Sequence, residues 1–170
     1  MAHPYKLLFV CLGNICRSPS AENIMNHLIQ QRGLQDQIVC DSAGTSSYHI
    51  GSPPDRRMAA AAAQQGIVLK GAARQFTHGG VEASDFEAFD LILAMDEDNR
   101  ANMLRLDREQ LYADKVKLMC EFCRTHSDRE VPDPYYGGEA GFRYVIDLLI
   151  DACGGLLDSI EKELKELKAN

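Results

Sequence analysis

The chain alternates short apolar runs with stretches of a different rhythm. "KLLFVCL" at residues 6–12 is continuously apolar, the pattern of a strand buried on both faces. A short loop follows, and in "SAENIMNHLIQQRG" the residues Ala21, Ile24, Met25, Leu28 and Ile29 recur at the three-and-four spacing of a helix. "IVCDSAGT" predicts a second strand, after which Pro53, Pro54 and Asp55 open an alanine-rich helix, "DRRMAAAAAQQ", that stops at Gly66. "FDLILAM" and "KVKLM" supply a third and a fourth strand. Between them "DEDNRANMLRL" begins with acidic residues suited to the positive end of a helix. From about 139 to 168, Phe142, Val145, Ile146, Leu149, Ile150, Cys153, Leu156, Leu157, Ile160 and Leu164 keep a helical rhythm and predict a long covering helix. Gly154 and Gly155 are expected to bend or break it, because glycine weakens a helix interior by about 1 kcal/mol relative to alanine.

Strands alternating with helices imply an α/β fold in which a four-stranded parallel sheet carries helices on both faces. Ligands bind such sheets at the carboxyl ends of the strands, and Cys11 falls at such an end.

Composition narrows the picture. A chain of 170 residues, 45% hydrophobic and 25% charged, fits one domain over 1–170 with a core of its own. The formal net charge of −7 argues against a long surface for nucleic acid or for an anionic membrane, so a bound phosphate has to be held locally. The opening "MAHPYKLLFV" lacks the cationic and apolar regions of a signal peptide, and no apolar stretch approaches the roughly 20 residues of a membrane span. A cytoplasmic protein carrying six thiols is the expectation.

The loop from Cys11 to Ser18 carries the chemistry. Its Leu12, Gly13, Asn14, Ile15 and Cys16 include two residue types, Gly and Asn, that tolerate unusual backbone angles, so the loop can curl and converge its amide N–H groups on one point. The helix N-terminus adds positive potential there, and Arg17 offers a planar fork matched to two phosphate oxygens. Ser18 ahead of Pro19 reads as a helix N-cap. No Gly-Lys-Ser/Thr follows, so this is not a Walker loop, nor is it the GxGxxG of dinucleotide sites. A thiol set among amide donors, a helix N-terminus and a guanidinium is held as a thiolate, a nucleophile for in-line attack on a phosphate monoester. Ser18 can donate a hydrogen bond to that thiolate.

With these residues in place the sequence resembles the low-molecular-weight protein tyrosine phosphatases. "CLGNICRSP" is similar to that family's signature loop, "DSAGT" to its second-strand segment, "MDEDN" to the exit of its third strand and "DPYYG" to its acid-bearing loop. The resemblance covers Lys6 to about Leu157. It implies a flavodoxin-like topology, phosphotyrosine on proteins as substrate, and neither metal nor organic cofactor.

In "EVPDPYYGG", Asp133 between Pro132 and Pro134 is the candidate acid that protonates the leaving oxygen and then activates water; alone it would read as a turn, and the family motif raises it. Tyr135 and Tyr136 are candidate walls of the cleft, Leu12 and Ile15 project from the cradle, and the resemblance adds Tyr48 to the rim. Asn14 and Ser42 are placed behind the loop, holding its backbone by side-chain hydrogen bonds. The resemblance also implies that Cys16 is a redox partner of Cys11. Where the family pattern has a histidine just before "ARQ", this chain has Gly71, so support of the loop is expected to differ, with water filling the gap.

Cys120, Cys123 and His126 invite zinc, but a fourth ligand is missing nearby, and an incidental cluster is the expectation. Cys40 and Cys153 read as packing residues. Two other readings stay open: an arsenate reductase of the same fold, with Cys120 and Cys123 as relay thiols, and a non-catalytic phosphotyrosine-binding module. A monomer or weak dimer is expected.

Overall fold

The computed structural model describes residues 3–170; Met1 and Ala2, where the signal-peptide reading begins, lie outside them. Four strands, β1 (Tyr5–Cys11), β2 (Ile38–Gly44), β3 (Leu91–Ala94) and β4 (Val116–Leu118), form a parallel sheet in the order β2-β1-β3-β4. In β1, Leu7 through Val10 are wholly buried, as the unbroken apolar run predicts. Alternate side chains serve opposite faces. Leu7, Phe9 and Cys11 join the larger core with Leu93 and the long C-terminal helix, whereas Leu8 and Val10 join a smaller one around Phe86, Ile92 and Met103. The nucleophile candidate therefore ends the central strand on the more heavily packed face. Its register partner is Gly44 at the end of β2.

The helices are α1 (Arg17–Gln31), α2 (Arg56–Ala63), the single turn α3 (Asp85–Ala88), α4 (Glu97–Leu106) and α5 (Glu139–Ala169). Asp55 caps α2 by accepting the N–H groups of Arg57 and Met58, and Asp96 forms a reciprocal cap on α4 with Asn99. Two expectations are corrected. Ser18 is not the N-cap of α1: the helix begins at Arg17, and the Ser18 hydroxyl turns into the loop toward Cys11 and Asn14. Pro19, third in the helix, sacrifices nothing, since the first N–H groups of a helix have no internal partner.

Nor do Gly154 and Gly155 break α5, which runs without interruption through them. They make room instead. A Cβ at Gly155 would overlap the carbonyl oxygen of Phe122, and one at Gly154 would overlap the Arg124 guanidinium, so the chain leaving β4 lies directly against the helix. Packing on the apolar stripe outweighs the helix propensity lost at two positions. None of the described helices is long and apolar enough to cross a membrane.

Candidate active site

The loop is held from behind by one buried side chain. Asn14 sits at φ 57°, the left-handed region that Asn tolerates better than most residues. Its Nδ2 donates to Ser18 Oγ at 2.8 Å and to Ser42 Oγ at 2.9 Å, and its Oδ1 accepts the Arg74 N–H at 2.9 Å. Every polar atom of the amide is used. Ser42 passes the chain on, donating to Glu22 Oε1 at 2.6 Å. The end of β2 closes over the loop as Thr45 N–H donates to Cys11 O and Ser46 N–H to Leu12 O, each at 2.9 Å. A Cβ on Gly44 would come within 2.7 Å of Leu12 O, so only glycine fits that crossing.

On the front of the loop, Cys11 Sγ lies 3.0 Å from Ser18 Oγ and receives the Asn14 N–H at 3.3 Å. The N–H groups of Leu12, Gly13, Ile15 and Cys16 have no acceptor among the described residues. Loop amides left without a protein acceptor beside a thiol, a helix N-terminus and a guanidinium make an anion cradle.

Arg17, 3% exposed, closes the cradle. Its Nη1 donates to Asp96 Oδ2 at 2.7 Å and to Val131 O at 3.0 Å, and its Nη2 lies 3.7 Å from Asp133 Oδ2. Burial works against its charge, yet Cys11, Asp96 and Asp133 together hold the guanidinium protonated beyond its ordinary range. Burial, then the charges of Asp55 and Cys11, push the Cys16 thiol up to about 12, so at neutral pH it is protonated.

Cys11 and Arg17 form the floor of a cleft of about 340 Å³ walled by Leu12, Ile15, Tyr48, His49, Tyr135 and Tyr136, with Asp133 at its edge. Tyr48 and Tyr136 stand largely in solvent. Tyr135 packs edge-on against Tyr136 at 5.0 Å between centroids, and its N–H donates to Asp133 Oδ1 at 3.0 Å, fixing the carboxyl above the floor. All the residues singled out from sequence at the cradle and rim are brought together here. Several others were not anticipated: Asp96 and the Val131 carbonyl that aim Arg17, Glu22 and Arg74 behind Asn14, and His49 and Ser46 in the wall. Of these, Asp96 lies within "MDEDN" at the exit of β3, but its role follows only from the strand order, which sets β3 beside β1.

Gly71 adopts φ +111°, a conformation a histidine would rarely take, and borders a pocket of about 100 Å³ shared with Asn14, Glu22, Asp41 and Ser42. Burial raises the Glu22 carboxyl above its usual value, opposed by the Ser42 hydrogen bond. Support of the loop therefore runs through Glu22 and the Arg74 backbone. Elsewhere, no cluster of three or more His, Cys, Asp or Glu suited to a metal occurs among the described residues. His126 Nδ1 instead faces Asp151 Oδ2 at 3.0 Å, and neither Cys120 nor Cys123 lines the cleft. Cys153 is fully buried and Cys40 half-buried, both packed in or against the larger core.

A parallel α/β sheet whose central strand ends in a cysteine inside an anion cradle defines a class of phosphate-handling protein built on a thiol. Residues 6–166 match the family model described as low molecular weight phosphotyrosine protein phosphatase, and the chain belongs to that family. It is 61% identical over 159 residues to a Synechocystis sp. protein provisionally named a low molecular weight protein-tyrosine-phosphatase, covering 94% of this chain and 98% of that one. The crystal structure of a protein tyrosine phosphatase from Entamoeba histolytica is similar at TM-score 0.86 and 48% identity, covering 94% of this chain and 98% of that chain. That of YfkJ from Bacillus subtilis is similar at TM-score 0.86 and 36% identity, over 95% and 98%.

Proposed function

We propose that this enzyme hydrolyses phosphotyrosine in proteins through a phosphocysteine on Cys11. The Cys11 thiolate attacks phosphorus in line while the ester bond to the phenol breaks, and the phenolate oxygen takes its proton from Asp133. The loop amides and the Arg17 guanidinium hold the three equatorial oxygens as charge redistributes. Water then attacks the same phosphorus and loses its proton to Asp133. The P–S bond breaks, inorganic phosphate leaves, and Ser18 stabilises the restored thiolate. Asn14 and Ser42 keep the cradle in place throughout. With peroxide as oxidant, Cys11 becomes a sulfenic acid that condenses with the Cys16 thiol, giving a disulfide and water.

The observation that carries this reading is the sulfur at the floor of an aromatic-walled cleft with a carboxyl at its edge. An aromatic rim above a thiol suits phosphotyrosine, whose side chain is longer than that of phosphoserine and can pack its ring against the walls. Neither Cys120 nor Cys123 borders the cleft, which removes the relay an arsenate reductase needs.

The test is phosphate release from a phosphotyrosine and a phosphoserine peptide, in EDTA and reductant, with Cys11→Ser in parallel. Release from the phosphotyrosine peptide alone, abolished by the substitution, is expected. Release that persists in Cys11→Ser, or equal release from phosphoserine, would contradict the reading.

A further inference from the structure

Next to the catalytic cleft lies a groove of about 270 Å³ between α2 and α5, lined by Arg56, Arg57, Phe142, Arg143 and, on its single acidic side, Glu139. Three cations against one anion is unusual in a chain of net charge −7. The three arginines are not equivalent. Arg57 is fixed: it pairs with Asp55 at 3.1 Å, and its guanidinium lies 5.3 Å from the Tyr135 ring centre and 4.6 Å from that of Phe142. Arg56 and Arg143 are exposed, and neither has an ion-pair partner among the described residues.

Tyr135 joins the two cavities. One side of it lines the cleft above Cys11, and Arg57, which lines the groove, stacks on its ring. A peptide whose phosphotyrosine is seated in the cleft carries its neighbouring residues out over the rim, and those that leave past Tyr135 come within one side chain of the groove. Two unpaired guanidiniums there attract carboxylates and repel lysines, with a range set by a screening length of about 8 Å at physiological salt.

Resting on the phosphatase reading above, we infer that the Arg56–Arg57–Arg143 groove selects phosphotyrosine segments flanked by Asp or Glu. It acts on peptide capture and leaves the chemical step at Cys11 untouched. Each exposed charge pair is worth roughly a threefold change in kcat/KM, so a doubly acidic flank is preferred over an alanine flank by about tenfold at low salt.

The experiment compares phosphotyrosine peptides with glutamate, alanine or lysine on either side, at low and high salt, using wild type, the double variant Arg56→Glu/Arg143→Glu, and the milder Arg143→Ala. p-Nitrophenyl phosphate, which has no flank, serves as the reference substrate. Wild type is expected to prefer the glutamate peptides, with the preference shrinking in high salt. The double variant is expected to favour lysine instead, Arg143→Ala to fall between, and all three to hydrolyse p-nitrophenyl phosphate equally. A flank preference that is absent, insensitive to salt or unchanged by the substitutions would overturn the inference, as would loss of p-nitrophenyl phosphate turnover in Arg143→Ala. Failure of wild type on every substrate would instead overturn the phosphatase reading.

Discussion

The loop that carries Cys11 and the loop that carries Asp133 meet over the same cleft but are built on opposite principles. The first is buried and cross-tied: Asn14 spends all its hydrogen bonds on it, Gly44 leaves no room for movement at the β2 crossing, and Ser42, Glu22 and the Arg74 backbone brace the rear. The second is exposed from Pro132 to Gly138 except at Pro134 and Tyr135, and is tied by few contacts: the Val131 N–H to Met95 O at 2.8 Å, the Val131 carbonyl to Arg17, and a local turn at Gly137. The contrast follows from the chemistry. Charge developing on phosphate oxygens is stabilised only by donors already in place, whereas the acid must meet leaving groups carried by different protein chains.

The largest effect is expected from removing the proton on the exposed side. Asp133→Asn lowers kcat/KM on phosphotyrosine by about a hundred- to ten-thousandfold, the usual range for a general acid. The loss shrinks for p-nitrophenyl phosphate, whose leaving group hardly needs a proton in the first step. Equal losses on both, measured by steady-state kinetics, would show that Asp133 positions rather than protonates.

A smaller effect is expected from loosening the buried side. Asn14→Ala removes three hydrogen bonds and puts at φ 57° a residue that tolerates the left-handed region less well than asparagine, misplacing the cradle at a cost of about a hundredfold in kcat/KM. Asn14→Gly restores the backbone freedom without the hydrogen bonds, so recovery in that variant separates strain from bonding. Activity near wild type in Asn14→Ala would mean that the cradle holds itself.

The smallest catalytic effect is expected where the exposed loop is rooted. Asp151 on α5 accepts the N–H groups of Arg124, Thr125 and His126, pinning the chain that leads toward Asp133. Burial would raise this carboxyl, but those donors and the His126 ring hold it well below the usual carboxylate range. Its stabilisation is therefore complete above the unfolded value of about 3.9 and is lost as pH falls through the lower folded value. Asp151→Asn is expected to cost about 2 kcal/mol at pH 7 by denaturant titration, with the gap to wild type closing in stronger acid. Activity changes less than in either variant above. A gap that stays constant down to the acid transition would contradict the role given to its charge.

Much of this was legible in the chain. The unbroken apolar run of β1, the helical spacing of α1 and the cysteine–arginine–serine order placed the cradle at a strand end. What stayed hidden depends on contacts between distant residues. Nothing local in Asp96 shows that it will meet Arg17, 79 positions earlier, until β1 and β3 are known to be neighbours. Ser18 and Pro19 carry a helix-start signal, yet the hydroxyl was claimed by the loop. Gly154 and Gly155 spell a helix breaker in isolation, and only the Phe122 carbonyl lying against them turns them into a packing slot.

The central claim is that phosphate passes through Cys11. Asp133→Asn, mixed rapidly with p-nitrophenyl phosphate, quenched in acid and analysed by peptide mass spectrometry, tests it most directly. A burst of nitrophenol matched by one phosphoryl group on the peptide containing Cys11 is the predicted result. Turnover with no phosphoryl group on that peptide, or with the group on another residue, would contradict it.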